Sequence, residues 1–200
     1  MEMKPNDFYV GLVEFFSIVL PGALLAFLCL PLKDHVFDDV VLPKILSSAE
    51  GWVVLIFAAY LLGQFISLIG ATFMDWLYDH SYLRFRRRDG DARFDKAKEL
   101  AGAAGKMIGV LKWARAYVRL RSVDASLEFD RFEATSKFFR SLFVVLLAYG
   151  ATFGLRHQWT ALLITTVLLV LAFWRYSNQR WKFTECSYIY FIQLNTHPTD

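Results

Sequence analysis

Two apolar runs separated by only three polar residues restrict this chain more than any other feature. Residues 141–155 read SLFVVLLAYGATFGL, and after Arg156, His157 and Gln158 the chain resumes as WTALLITTVLLVLAFWRY over 159–176. Each run is about 15 to 18 residues, and the first lengthens when Phe138 and Phe139 are counted. A helix rising 1.5 Å per residue over that length can cross a hydrocarbon core of roughly 30 Å. The three intervening residues are then a tight turn, and the pair is a membrane hairpin over 138–176.

The first part of the chain carries two more such runs. Residues 8–30, FYVGLVEFFSIVLPGALLAFLCL, form the first span, with Glu14 as its one charged residue. Pro21 removes a backbone donor at mid-span, so a kink is expected at Pro21-Gly22; it either fits the bundle or acts as a hinge. Residues 31–50 are a polar connector in which HVFDDVVL can lie along the surface. Residues 52–77, WVVLIFAAYLLGQFISLIGATFMDWL, form the second span, long enough to tilt. Gly63, Ser67, Gly70, Ala71 and Met74 share one broad side of it, a small-residue face suited to close helix packing. Gln64 is polar at mid-depth and calls for an interhelical hydrogen-bond partner. With 56% hydrophobic residues in a chain of 200, the competing soluble all-α reading has to bury uninterrupted runs that soluble cores seldom contain.

Charge sets the orientation. Between residues 79 and 140 there are fifteen Lys or Arg against nine Asp or Glu, a balance of +6, whereas the 31–50 connector carries −2. Arg175, Arg180 and Lys182 follow the last span. By the positive-inside bias these stretches predict four spans with both termini cytoplasmic, Arg156 being a weak dissent. Arg84, Arg86, Arg87 and Arg88 cluster just beyond the second span, where they fix topology and attract anionic headgroups. A nucleic-acid patch is the weaker alternative, because no recognised binding motif follows. The polar leader MEMKPND precedes no small-x-small cleavage site, so the first span is expected to be retained.

The insert over 79–137 is patterned rather than structureless. Residues 92–100 read as helix, the glycines of AGAAG weaken helix at 101–105, and 107–121 resume as an amphipathic basic helix that carries Arg115 and Arg119. From about residue 126 one helix continues into the third span without a breaker. The tail over 177–200 holds Trp181 and further aromatics, expected to pack in helical or extended form against the insert, with the last four residues frayed. Sixty residues are far more than a helix connection requires, so this layer is expected to meet a cytoplasmic protein or its own copies; the alternative is that it merely packs on the bundle and covers the tail.

Few residues point to chemistry. Glu14 and Asp75 lie at similar depth near one end of their spans, either as a proton or ion path or each paired with a nearby arginine. GAAGKMIG lacks phosphate-loop spacing, and the four histidines are scattered outside any catalytic motif. Asp75, Asp79 and His80 allow a juxtamembrane lipid-modifying enzyme as an alternative. Cys29 and Cys186 show no metal or haem spacing and fall at opposite ends of spans, so neither disulfide, metal nor cofactor is expected, and no enzyme is the leading reading.

The opening YVGLVEFFSIVLPG, a second span, a long charged insert and a closing hairpin together resemble small four-helix membrane proteins of bacterial anti-phage defence operons, such as the membrane component of the Kiwa system. The likeness covers layout and carries no residue across. It implies a sensor or effector with a cytoplasmic partner encoded nearby. The resulting expectation is an all-α inner-membrane protein, homo-oligomeric through its small-residue face, bound to membrane lipids and a cytoplasmic protein but not to nucleic acid. An ion-conducting pore subunit is the other functional alternative.

Overall fold

The computed structural model describes the backbone over residues 5–29 and 48–196, and side chains over 15–28, 48–81 and 92–196. Residues 30–47 of the connector region and the last four residues, with the expectations placed on them, lie outside these ranges. Six α-helices appear among the described residues: α1 (Pro5–Cys29), α2 (Ala49–Leu77), α3 (Leu83–Ile108), α4 (Val110–Arg121), α5 (Val123–Leu155) and α6 (Trp159–Thr196). The protein is all-α and multi-pass. Three helical stretches, Ala49–Ser81, Val123–Leu155 and Trp159–Thr196, are long and apolar enough to cross a membrane, and the apolar part described in α1 is Phe15–Leu28. No more than 22% of the most apolar window in any of the three is buried inside the protein. Phe57, Phe65, Leu68, Leu163 and Val170 point outward, the inverse of a soluble core and the arrangement a lipid solvent favours.

Local sequence explains the ends of these helices. Ser48 caps α2 by accepting from the Gly51 N–H at 3.1 Å, and Ser122 caps α5 by accepting from the Ala125 N–H at 3.3 Å. A single π-helical turn, Tyr78–Tyr82, joins α2 to α3. The glycine-rich stretch does interrupt helix: Gly102 has φ 52° and Gly109 φ 93°, values that a side chain disfavours. In the hairpin, Arg156 and Gln158 donate back to the Thr152 and Phe153 carbonyls at 3.1 and 3.0 Å, and His157 takes a positive φ of 54°.

Two findings alter the sequence picture. α5 starts at Val123, slightly before the expected position, and α6 does not stop where its apolar run ends. α6 continues unbroken through the tail for 38 residues, about 57 Å. Nothing between Trp159 and Thr196 is a Gly or Pro that would end it. With α5 at 33 residues, about 50 Å, both hairpin helices exceed a core of roughly 30 Å by some 20 Å or more. They support a second, extramembrane layer. There α3 contributes Ala97 and Ala101, α4 Ala114 and Val118, α5 Ala125 and Phe129, and α6 Tyr188 and Phe191 to one buried core. The tail aromatics are therefore largely consumed inside the chain, because four amphipathic segments close on them.

The glycines are consumed in the same way. A Cβ on Gly22 would collide with the Ala59 carbonyl, and one on Gly63 with the Ile18 carbonyl, so these two glycines let α1 and α2 cross backbone to backbone. α1 runs through the buried Pro21 as one helix. Gly70 lies against α5, where a Cβ would stand 3.0 Å from Arg140 Cγ and 3.3 Å from Val144 Cγ2. The face expected to join copies thus corrects to an intramolecular one: Gly63 and Gly70 are occupied by α1 and α5.

Candidate coupling site at the membrane boundary

The polar residues that the sequence scatters over 105 positions meet where the membrane bundle passes into the extramembrane layer. Asp75 comes from the last turn of α2, Tyr78 from the π-helical turn, Arg140 from α5, and Tyr176 and Arg180 from one face of α6. Tyr176 and Arg180 are four residues apart, one turn of helix, so they stack on the side that faces α2. The Tyr176 hydroxyl donates to Asp75 Oδ1 at 2.7 Å, Arg180 forms an ion pair with the same oxygen, and Arg180 Nη1 also donates to the Tyr176 hydroxyl at 2.7 Å. The Arg180 guanidinium lies 4.9 Å over the Tyr78 ring, and Tyr78 meets Tyr176 edge to face at 6.1 Å. Beneath this clamp Met74, Phe143 and Ala172 are buried with the two tyrosines. A carboxylate next to hydrocarbon is thereby neutralised by a cation and a hydroxyl, which removes most of the penalty for its depth.

Arg140 continues the polar belt. It donates to Ser67 Oγ at 3.0 Å and lies along Gly70. Ser67 and Gly70 thus serve packing within the chain, one as acceptor and one as the gap that admits the arginine. Of the two readings of Asp75, the structure brings it to an arginine. The Glu14 side chain lies outside the described residues. His80 stacks on the exposed Trp76 at 5.7 Å, Asp79 is exposed, and neither hydrogen-bonds to Asp75. Among the described residues no three His, Cys, Asp or Glu gather as metal ligands.

The extramembrane layer has its own ties to the hairpin. Arg115 and Arg119 of α4, expected to contact lipid or partner, instead form ion pairs with Glu133 and Asp130 of α5. Burial and the neighbouring Arg119 lower the Arg115 guanidinium from its ordinary value, and Asp130 opposes them; its plane also covers Phe183 of α6 at 4.7 Å. Arg93 of α3 pairs with Glu185, and Tyr190 donates to Glu128 at 2.5 Å. Arg84, Arg86, Arg87 and Arg88 fall in α3, their side chains outside the described ranges, and Trp181 is half-buried. The outward face of the layer is mixed: Asp95, Lys96, Lys98, Glu99, Lys112 and Arg121 are exposed on it, and among them Met107 is 87% exposed and Leu120 89%, with Ile108 and Val123 also open.

Gln64 is the unexpected residue. It is exposed and hydrogen-bonds to no described residue, although it lies eleven residues, about 16 Å of rise, from the Asp75 boundary and so near the centre of a core of roughly 30 Å. The sequence had signalled its need for a partner but not that the chain would leave it open. In the sequence Arg180 stands out only as a topology charge; its i,i+4 spacing from Tyr176 is the available signal of a second role. Compared with known protein families, curated proteins and solved structures, the chain matches none.

Proposed function

We propose that this chain is a membrane-embedded, homo-oligomeric subunit that couples a cytoplasmic protein to the bilayer, as a sensor or effector in bacterial defence. It does so from the inner membrane, with four spans and both termini cytoplasmic. The observation that carries the coupling is the continuity of α5 and α6: each is one helix from the lipid hairpin through the core of the extramembrane layer. A load placed on that layer has no loop in which to dissipate before it reaches the membrane bundle, and the Asp75–Arg180 clamp hands it on to α2. The exposed Met107 and Leu120 support a protein contact, since large apolar side chains on a water-facing layer are common at binding surfaces. Gln64, exposed and without a hydrogen-bond partner among the described residues, supports a second copy. Its amide is both donor and acceptor, so two copies can satisfy each other where lipid cannot. The defence setting rests on the resemblance in layout.

Affinity capture of the full chain from its native host, in mild detergent, tests this reading. Met107→Glu with Leu120→Glu places charge on the layer's outer face without touching its core. It is expected to release a specific cytoplasmic protein that the wild type retains. A wild type that retains none, or a double variant that holds the same protein equally well, overturns the docking assignment.

A further inference from the structure

Between α5 and α6, on the outside of the hairpin, lies an open groove of about 360 Å³. That volume falls within the ~300–1,000 Å³ of small-molecule sites. Leu142 and Leu146 form one wall and Leu168 and Leu171 the other, so its sides offer only hydrocarbon. Its one charged lining residue is Arg175, beside Trp174, at the end where the apolar run of α6 gives way to the polar layer. Both residues are exposed. Trp belongs at this depth, where the bilayer changes from hydrocarbon to headgroup. Arg175 differs from the other boundary arginines. Arg180 is held by Asp75 and Arg140 by Ser67, whereas Arg175 forms no ion pair or hydrogen bond with any described residue.

An apolar trough ending in a free guanidinium at headgroup level has the polarity pattern of a phospholipid. We infer that this groove holds one acyl chain of an anionic phospholipid whose phosphate sits on Arg175. The trough alone would accept any acyl chain; Arg175 adds the choice of headgroup, because a guanidinium matches a phosphate with paired donors. On the proposed orientation it faces the cytoplasmic leaflet, where anionic lipid supplies the negative surface potential. A lipid lodged there would lie along the join of the two helices that carry the extramembrane layer, so the site would make the hairpin responsive to leaflet composition.

The test is native mass spectrometry of the full chain in detergent, titrated with phosphatidylglycerol or phosphatidylcholine. The wild type is expected to bind phosphatidylglycerol about fivefold more tightly, the worth of one basic residue near the surface. Arg175→Gln should bring the ratio to about one with phosphatidylcholine binding unchanged, and Arg175→Lys should keep a preference. Leu171→Trp, which fills the trough, should lower uptake of both lipids. Arg156→Gln, at the opposite end of the hairpin, should leave the ratio alone. The inference is overturned if Arg175→Gln keeps the fivefold ratio, if Leu171→Trp leaves both lipids bound as before, or if Arg156→Gln removes the preference equally well.

Discussion

Tyr176 donates its hydroxyl to Asp75 across 2.7 Å, joining the last turn of α2 to the point on α6 where membrane hairpin becomes extramembrane layer. Arg180, one turn further along α6, closes on the same carboxylate. The side chains of Arg180 and Asp75 keep 31% and 41% of their exposure, so solvent screening limits the pair to about 1 kcal/mol or less. Tyr176→Phe is expected to cost about 1.5 kcal/mol, the low end for a hydrogen bond to a charged group, because the Asp75 carboxylate is partly exposed. A double-mutant cycle of Asp75→Asn and Arg180→Gln, followed by denaturant unfolding in detergent, should give a coupling of the same order. A coupling near zero would show that the clamp does not hold α2 to α6.

The α1–α2 crossing is far less forgiving. Gly63→Leu puts a side chain where the Ile18 carbonyl sits, so the two helices must separate. Overpacking of this kind costs about 1–3 kcal/mol or more. Gly63→Leu and Gly22→Leu should therefore lower the thermal midpoint of the isolated subunit. If either variant melts like the wild type and only dissociates copies, the assignment of these glycines to intramolecular packing fails.

Gln64 should behave in the opposite way. Gln64→Leu removes a polar group that no described residue of the chain pairs with, so subunit stability is expected to hold or rise while association weakens. Interhelical hydrogen bonds in lipid are worth about 0.6–2 kcal/mol each, or roughly three- to thirtyfold in affinity. Disulfide trapping of Gln64→Cys, with Cys29 and Cys186 replaced by serine, checks the contact directly. A trapped dimer is the expected result. Persistent oligomers with no trapping would move the seam elsewhere, and a monomer in every lipid tested would end the homo-oligomer proposal.

The two positive-φ glycines near α4 make a backbone prediction. A Cβ at Gly102 or Gly109 would meet nothing within 4 Å, so any cost of Gly102→Ala or Gly109→Ala is conformational rather than steric. Each should destabilise by about 1–2 kcal/mol. An unchanged unfolding midpoint in both would mean that the chain does not need those conformations.

Hydropathy made the hairpin legible because two long runs and a three-residue gap admit few other folds. The insert was legible in the same terms: glycines at 101–105 mark the break, and the run without a breaker from about residue 126 marks α5, although the helix starts three residues earlier, at Val123. The extent of α6 was less visible. The charged RYSNQRWK segment looks like a membrane exit, yet leaving a membrane does not end a helix, and no Gly or Pro follows to do so. Contacts were the least visible part. Small residues at helical spacing announce a close neighbour without saying whether it is α1, α5 or another copy. Asp75 likewise shows its need for a cation but not that Arg180, 105 residues later, supplies it.

Whether the extramembrane layer and the membrane hairpin move as one body is the core of this account, and α6 is where that is decided. Spin labels at Val170→Cys, in lipid, and Gln193→Cys, in the layer, can be placed in a background with Cys29 and Cys186 replaced by serine. Pulsed dipolar spectroscopy in bilayers then measures the distance across the boundary. An unbroken helix separates the sites by 23 residues, about 35 Å along its axis, and predicts one narrow distribution near that value. A broad or markedly shorter distribution would mean that α6 bends or melts at the boundary, and rigid coupling between layer and membrane would be contradicted.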